Sequence, residues 1–295
     1  MKIGIIPNIS KTDILRIVTD IINDIRKYDF EYLLSDKLKK FEDQFNGTLK
    51  QSNFLPESEL VKSSDMVLSL GGDGTMLSSA FQVRNYSTPL VGVNIGKLGF
   101  LAEFDLDSFN DFLGEIKSGK YIIEERMALI GKVKGVDGSD LYAINDIVID
   151  KGPWQKMIEL TIKIGDDYVS TFSADGIIVA TPTGSTGYSL SAGGPIVAPT
   201  AKVIALSPIA PHTLNMRPLV VSSDQKIMIN VKSPHEKIQV SCDGQRVYSY
   251  PSPTTVYIEK SSQPVKLVHS SRTNYFEILR NKLYWGLDVR KSNNS

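Results

Sequence analysis

The sequence predicts an α/β domain built on a mostly parallel sheet, followed by an all-β domain, a sandwich or a barrel. Two patterns predict it. Over the first hundred residues strand-like and helix-like segments alternate, as they do where helices cover both faces of a parallel sheet. After about residue 120, short β-rich runs separated by Gly, Pro, Asp and Ser take over. A chain of 295 residues has room for two cores.

The elements follow in order. Lys2 to Pro7 reads as a first strand ending in a turn. From Asp13 to Tyr28 the apolar residues Ile14, Leu15, Ile17, Val18, Ile21, Ile22 and Ile25 recur near helical spacing. Tyr32-Leu33-Leu34 is a short strand-like run. Lys37 to Phe45 reads as a helix, and Pro56 to Ser63 as the start of another. Met66–Leu70 is an apolar strand, Thr75–Phe81 a helix, and Pro89–Asn94 a further strand. The β-rich half contains Tyr121–Val133, Leu141–Asp150, Met157–Ile164, Ile177–Ala180, Lys202–Ser207, Leu219–Ser222, Lys226–Val231, Lys237–Cys242, Thr254–Glu259 and Val265–His269. Tyr275 to Tyr284 returns to helical spacing and is expected to pack on the first domain. The polar end, Lys291–Ser295, is expected to fray.

Composition narrows the function. Apolar residues make up 41% and charged residues 22%, within the range of soluble globular proteins. Lys plus Arg equals Asp plus Glu at 33 each, so the basic excess of a general nucleic-acid binder is absent. The single cysteine, Cys242, cannot form an internal disulfide, and with three scattered histidines it gives no zinc spacing. No apolar run reaches membrane-span length, and the first residues lack the form of a signal peptide. A cytoplasmic protein without membrane partners is expected.

Gly71-Gly72-Asp73-Gly74-Thr75 is the most informative word. It sits between the strand Met66–Leu70 and the helix that follows. Glycines at such a switch are expected to adopt positive φ and to let an anion approach the backbone beside a helix N-terminus. A carboxylate in that turn repels an anion unless it holds a metal or receives a proton, which suggests phosphoryl transfer. Chance would give this pentapeptide in roughly one chain of this length in a few thousand, so an ordinary tight turn is the weaker reading.

A second dense segment runs from Asp175 to Pro195. A strand breaks at Thr181-Pro182, and hydroxyls and glycines then crowd an apparent helix start. Such a turn suits sugar hydroxyls and phosphate oxygens, and Tyr188 adds an aromatic face. Other nucleotide and acyl-transfer words are missing: no G-x-G-x-x-G follows a strand, no Walker A or D-F-G occurs, and Gly184-Ser185-Thr186-Gly187 has the wrong spacing for G-x-S-x-G.

Four words in order, Gly71–Thr75, Asn94–Leu101, Asn145-Asp146 and Asp175–Pro195, resemble the NAD kinase family. Pro211-His212 through Leu219 and Asp243-Gly244-Gln245 match more weakly, and the resemblance spans residues 2 to 270. It implies a Rossmann-like α/β domain over 1–120 carrying the glycine turn, with 271–295 packing back on it. It also implies a β-sandwich over 121–270 that contributes the NAD site. The implied reaction moves the terminal phosphate of ATP or polyphosphate to the 2′-hydroxyl of the adenosine ribose of NAD, with Mg2+ on the donor. Asp73 would receive or orient the hydroxyl proton, while Gly72 and Gly74 admit donor phosphates. Asn145 and Asp146 would hold adenosine, with Asp146 one methylene shorter than the more usual Glu. Phe100, Thr186, Tyr188 and Ser191 would surround adenine and its ribose, with Gly187 where Ala is common. Asp175 and Ala210 would face the nicotinamide half, Asp175 from a neighbouring subunit of a dimer or tetramer. His212 reads as structural, and Lys97 and Arg217 as solvated. The rivals are a lipid or sugar kinase sharing the glycine turn, which would lack the Thr181–Tyr188 run, and a catalytically silent NAD(P) or polyphosphate sensor.

Overall fold

The computed structural model describes residues 1–45, 53–96, 99–138, 141–271 and 274–284. The chain divides into two compact units, Met1–Glu124 with Lys266–Ser295, and Glu125–Val265.

The first unit begins β1 (Lys2–Pro7), α1 (Ile14–Lys27), β2 (Glu31–Ser35), a 3₁₀ segment (Asp36–Phe45), β3 (Phe54–Leu55) and α2 (Glu57–Ser63). It continues β4 (Met66–Gly71), α3 (Asp73–Val83), β5 (Leu90–Asn94), α4 (Leu106–Lys117) and β6 (Tyr121–Arg126). In α1 the periodic Ile14, Ile17, Val18, Ile21, Ile22 and Ile25 are all buried, so the helix is held by one apolar stripe. The helix expected over Lys37–Phe45 is instead 3₁₀. Its buried side chains are few, chiefly Leu38 and Phe45, so little apolar surface drives a full α-helix. Helix α4 is not among the expected elements. Its signal is present: Asp105 and Ser108 form a capping box, and Phe109, Phe112, Leu113 and Ile116 are buried at helical spacing.

The second unit contains β7 (Leu129–Val133), β8 (Leu141–Ala143), β9 (Asp146–Asp150), β10 (Ile158–Ile164), β11 (Asp167–Ala174) and β12 (Gly176–Ala180). A 3₁₀ turn (Thr183–Thr186) and α5 (Tyr188–Ser191) follow. Then come β13 (Val203–Ile209), β14 (Leu219–Ser222), β15 (Ile227–Lys232), β16 (Lys237–Cys242), β17 (Arg246–Pro251) and β18 (Thr254–Lys260). Two six-stranded sheets form, ordered β11-β10-β15-β18-β7-β8 and β14-β13-β12-β9-β16-β17. Their pairings are antiparallel. Leu160 and Ile162 from one sheet share a core with Ile147, Ile177 and Val240 from the other, which makes the unit a sandwich. Strand β12 is apolar throughout because it is covered twice. Ile177 and Val179 face the sandwich core, while Ile178 and Ala180 join Val148 and Ala205 in a second cluster. The unexpected β11 and β17 are edge strands with polar faces, and so lack a dense apolar run.

Strand β19 (Val265–Ser270) leaves that unit, and α6 (Tyr275–Leu283) follows it. The first sheet is ordered β3-β2-β1-β4-β5-β19-β6, with Leu267 paired in parallel to Leu90. Val265–His269 and the start of Tyr121–Val133, expected in the β-rich domain, belong to this sheet instead. Composition identifies a strand but not its partners.

Candidate active site

In the first sheet the strand order reverses between β1 and β4. Ligands of open α/β sheets bind beyond the strand ends at such a reversal. A cavity of about 530 Å³ lies there. Ile6, Pro7, Asn8, Ile9 and Lys11 line it from the end of β1, Gly72, Gly74, Thr75, Ser78 and Gln82 from α3, and Lys37 and Glu57 from the side. Lys37 Nζ is 2.8 Å from Glu57 Oε1, to which Ser35 Oγ donates at 3.1 Å. Two lysines and the positive end of α3 suit a polyanion. Sequence reasoning missed Lys11 and Lys37, because nothing local marks them.

Gly72 is the N-cap of α3 and Asp73 its first residue. The glycines are expected at positive φ, yet Gly71, Gly72 and Gly74 are not among the left-handed residues. What Gly71 supplies is space: a Cβ there would lie 2.1 Å from Thr75 Oγ1. The Asp73 carboxylate accepts three consecutive backbone N–H bonds. Phe100 donates to Oδ2 at 2.7 Å, and Leu101 and Ala102 donate to Oδ1 at 3.0 and 3.1 Å. Phe100 itself is half-buried, and Lys97 lies outside the described residues. Gly99 must stay bare, since a Cβ there would lie 1.8 Å from Asp73 Oδ1. Gly99→Ala should therefore expel the carboxylate and cost about 1–3 kcal/mol in urea unfolding. An unchanged midpoint would mean that Asp73 does not sit in these amides.

In the second unit Asn145 and Asp146 meet the Thr181–Gly187 turn. Thr181 N–H donates to Asn145 O at 2.8 Å, and Thr181 Oγ1 donates to Ile144 O at 2.6 Å. A Cβ on Gly187 would lie 3.7 Å from Asn145 Nδ2 and 4.0 Å from Asp146 Oδ2, so these three residues surround one spot. The hydroxyls of Thr181, Ser185 and Ser189 are consumed by the fold. Thr186 makes a long 3.4 Å bond to Thr183 O, while Tyr188 and Ser191 are exposed. Among the described residues, Asn145 Oδ1 and Thr183 Oγ1 are buried without a hydrogen-bond partner, a state that an incoming polar ligand relieves. The sequence alone does not single out Thr183.

Asp146 is 4% exposed. Burial, and then the charge of Asp243, push its carboxyl up to about 7. Unfolded, an Asp titrates near 3.9. Below about pH 4 both states hold the proton; between about pH 4 and 7 only the folded state does, so stability falls as pH rises. Asp146→Asn removes this term. It should stabilise the protein by on the order of 1–3 kcal/mol at pH 8 and by little at pH 4.5. Urea titrations at the two pH values check it; a pH-independent difference refutes the buried ionisation.

Asp175 and Ala210 lie together, with Asp175 N–H donating to Ile209 O at 3.0 Å. Ala210 has φ 43°, a conformation that non-glycine residues seldom adopt. Lys151 Nζ is 2.7 Å from Asp175 Oδ1. These residues sit at the opposite end of β12 from Thr181, about 20 Å away at strand rise. One chain therefore separates the residues expected around adenosine from those expected around nicotinamide. His212 is exposed, and its N–H donates to Ser173 O at 2.9 Å. Arg217 is exposed and donates to Leu214 O and Met216 O in its own loop.

A family model described as the ATP-NAD kinase N-terminal domain matches residues 31–121, and the ATP-NAD kinase C-terminal domain matches residues 144–270. A protein named NAD kinase from Thermoanaerobacter sp. (strain X514) is 38% identical over 286 residues, covering 96% of this chain and 98% of that one. The crystal structure of an NAD kinase from Archaeoglobus fulgidus in complex with ATP superposes with a TM-score of 0.76 at 27% identity, covering 96% of this chain and 99% of the other. Yeast NADH kinase complexed with NADH gives a TM-score of 0.89 at 24% identity, over 98% of this chain and 89% of that one, a likeness of fold. By these matches the chain belongs to the NAD kinase family.

Proposed function

We propose that the protein transfers a terminal phosphate from ATP or polyphosphate to the 2′-hydroxyl of the adenosine ribose of NAD, giving NADP. The observation that carries this reading is the fixed Asp73 carboxylate at the head of α3, with Gly72 and Gly74 on either side of it lining a lysine-bearing cavity. The donor's phosphates occupy that cavity, against Lys11, Lys37 and the first turn of α3. Asp73 orients the acceptor hydroxyl or takes its proton. Phosphoryl transfer passes through a loose transition state and asks mainly for placement and charge compensation. Asn145, Asp146, Gly187 and Thr183 hold the adenosine half of NAD, with Phe100, Thr186, Tyr188 and Ser191 completing its surroundings.

Among the described residues no group of three or more His, Cys, Asp or Glu side chains could hold a metal ion. Magnesium would be held by the donor's phosphates rather than by a cluster of these side chains, and would supply charge neutralisation there. Asp175 and Ala210 serve the nicotinamide half of a neighbouring subunit's NAD, in a dimer or tetramer working in the cytoplasm. No helix among the described residues is long and apolar enough to cross a membrane.

The test is direct. Protein, magnesium, NAD and either donor are mixed, and product is coupled to an NADP-specific dehydrogenase. NADP formation is expected. NAD binding without NADP from either donor would favour a sensor instead.

A further inference from the structure

We propose that Asp243, backed by Arg246, is a positioning residue that fixes the Asn145–Asp146 turn for acceptor binding; this rests on the function proposed above. Asp243 and Gly244 form the turn between β16 and β17, with φ 55° and 63°. Gln245 N–H donates to Cys242 O at 3.1 Å across it, the geometry of a tight hairpin turn. Left-handed backbone turns the Asp243 side chain inward, where it is 1% exposed. Its Oδ1 accepts from Asn145 N–H at 2.7 Å and Asp146 N–H at 3.3 Å, and its Oδ2 from Ile144 N–H at 3.3 Å. Asp146 O in return accepts from Asp243 N–H at 2.9 Å. Arg246 Nη2 donates to Asp243 Oδ2 at 3.0 Å and to Tyr142 O at 2.9 Å.

Three consecutive amides around a carboxylate leave a turn little freedom. That turn carries Asn145, whose orphaned Oδ1 faces no protein partner. Asp243 thus acts through the turn and never on substrate. Its charge also raises the Asp146 carboxyl. Burial raises the Asp243 carboxyl too, while the Asn145 amide and the Arg246 guanidinium lower it and so favour its charged form; the Cys242 thiol of β16, pushed up to about 12 by burial, stays neutral.

Asp243→Asn and Asp243→Ala test this, with Asn as the isosteric variant if Ala fails to fold. The amides of residues 144–146 should exchange hydrogen at least about tenfold faster in either variant. KM for NAD should rise about tenfold while KM for the donor stays within about twofold. The pH inflection in KM for NAD should move down by about one unit in Asp243→Asn. Amides that stay protected overturn the inference, whether or not the parent makes NADP. Parallel rises in both KM values, with no move of the inflection, also overturn it and leave a structural brace. A parent that binds no NAD defeats the proposed function, and exchange at 144–146 still judges the anchor.

Discussion

Asp73→Asn should lose at least about a hundredfold in kcat while NAD dissociation changes less than about threefold. The geometry explains both halves. A carboxylate offers about four acceptor positions. Leu101 and Ala102 use both of those on Oδ1, and Phe100 uses one on Oδ2. One position on Oδ2 remains for a substrate hydroxyl. In the Asp73→Asn variant one oxygen becomes an NH₂ group, which cannot accept. Either the segment at 100–102 loses part of its anchor or the hydroxyl loses its acceptor. The fold should survive, since Asn keeps the shape. Steady-state kinetics and calorimetric NAD titration separate the two quantities. Near-parental kcat would remove Asp73 from the chemistry and leave it as a latch for the 100–102 segment.

Gly184→Ala should be the most damaging single methyl group. A Cβ there would lie 2.1 Å from Asn145 O, 2.5 Å from its carbonyl carbon and 2.8 Å from its Cα. At Gly99 the obstructing atoms belong to a side chain that can rotate away. At Gly184 they are backbone, held in register by Thr181 N–H on Asn145 O and by Asp243 on the amides. The segment leading into β9 or the 3₁₀ turn must move bodily. A loss of about 3 kcal/mol or more is expected, with NAD affinity down at least about tenfold. Chemical unfolding and NAD titration of the same sample check it. A midpoint equal to the parent's would show that the turn and Asn145 are not packed as described.

Local patterns made much of this legible. The Met66–Gly71 strand, the glycine turn and the helix behind it lie within eighteen consecutive residues, so one stretch of sequence displays the strand, the turn and the carboxylate together. Asn145-Asp146 and the Thr181–Gly187 run were legible as words. What escaped is what the fold assembles from distant parts. Asp73 finds its amides 27 to 29 residues away, and Asp243 reaches Asn145 across 98. Lys11 and Lys37 look like any surface lysines until β1 and the 3₁₀ segment bring them to one cavity. The hydroxyls were the opposite error. The 175–195 run reads as a cluster of hydroxyls open to a ligand, yet those of Thr181, Ser185 and Ser189 are already engaged by backbone carbonyls and the Ser207 hydroxyl.

The place of β19 between β5 and β6 bears on how the chain is made. A nascent polypeptide emerges with β1 to β5 able to pair as they appear, but β6 must wait beside an open edge while the entire sandwich is synthesised. Only when Val265–Ser270 arrives can that gap close, with His269 meeting Glu103 on one side and, at 3.2 Å, Glu124 of β6 on the other. A stop codon just upstream of Val265 would spare every other strand in both units. It would nonetheless strand β6 and leave the first sheet unfinished, so Val265–Ser270 is a keystone of that sheet.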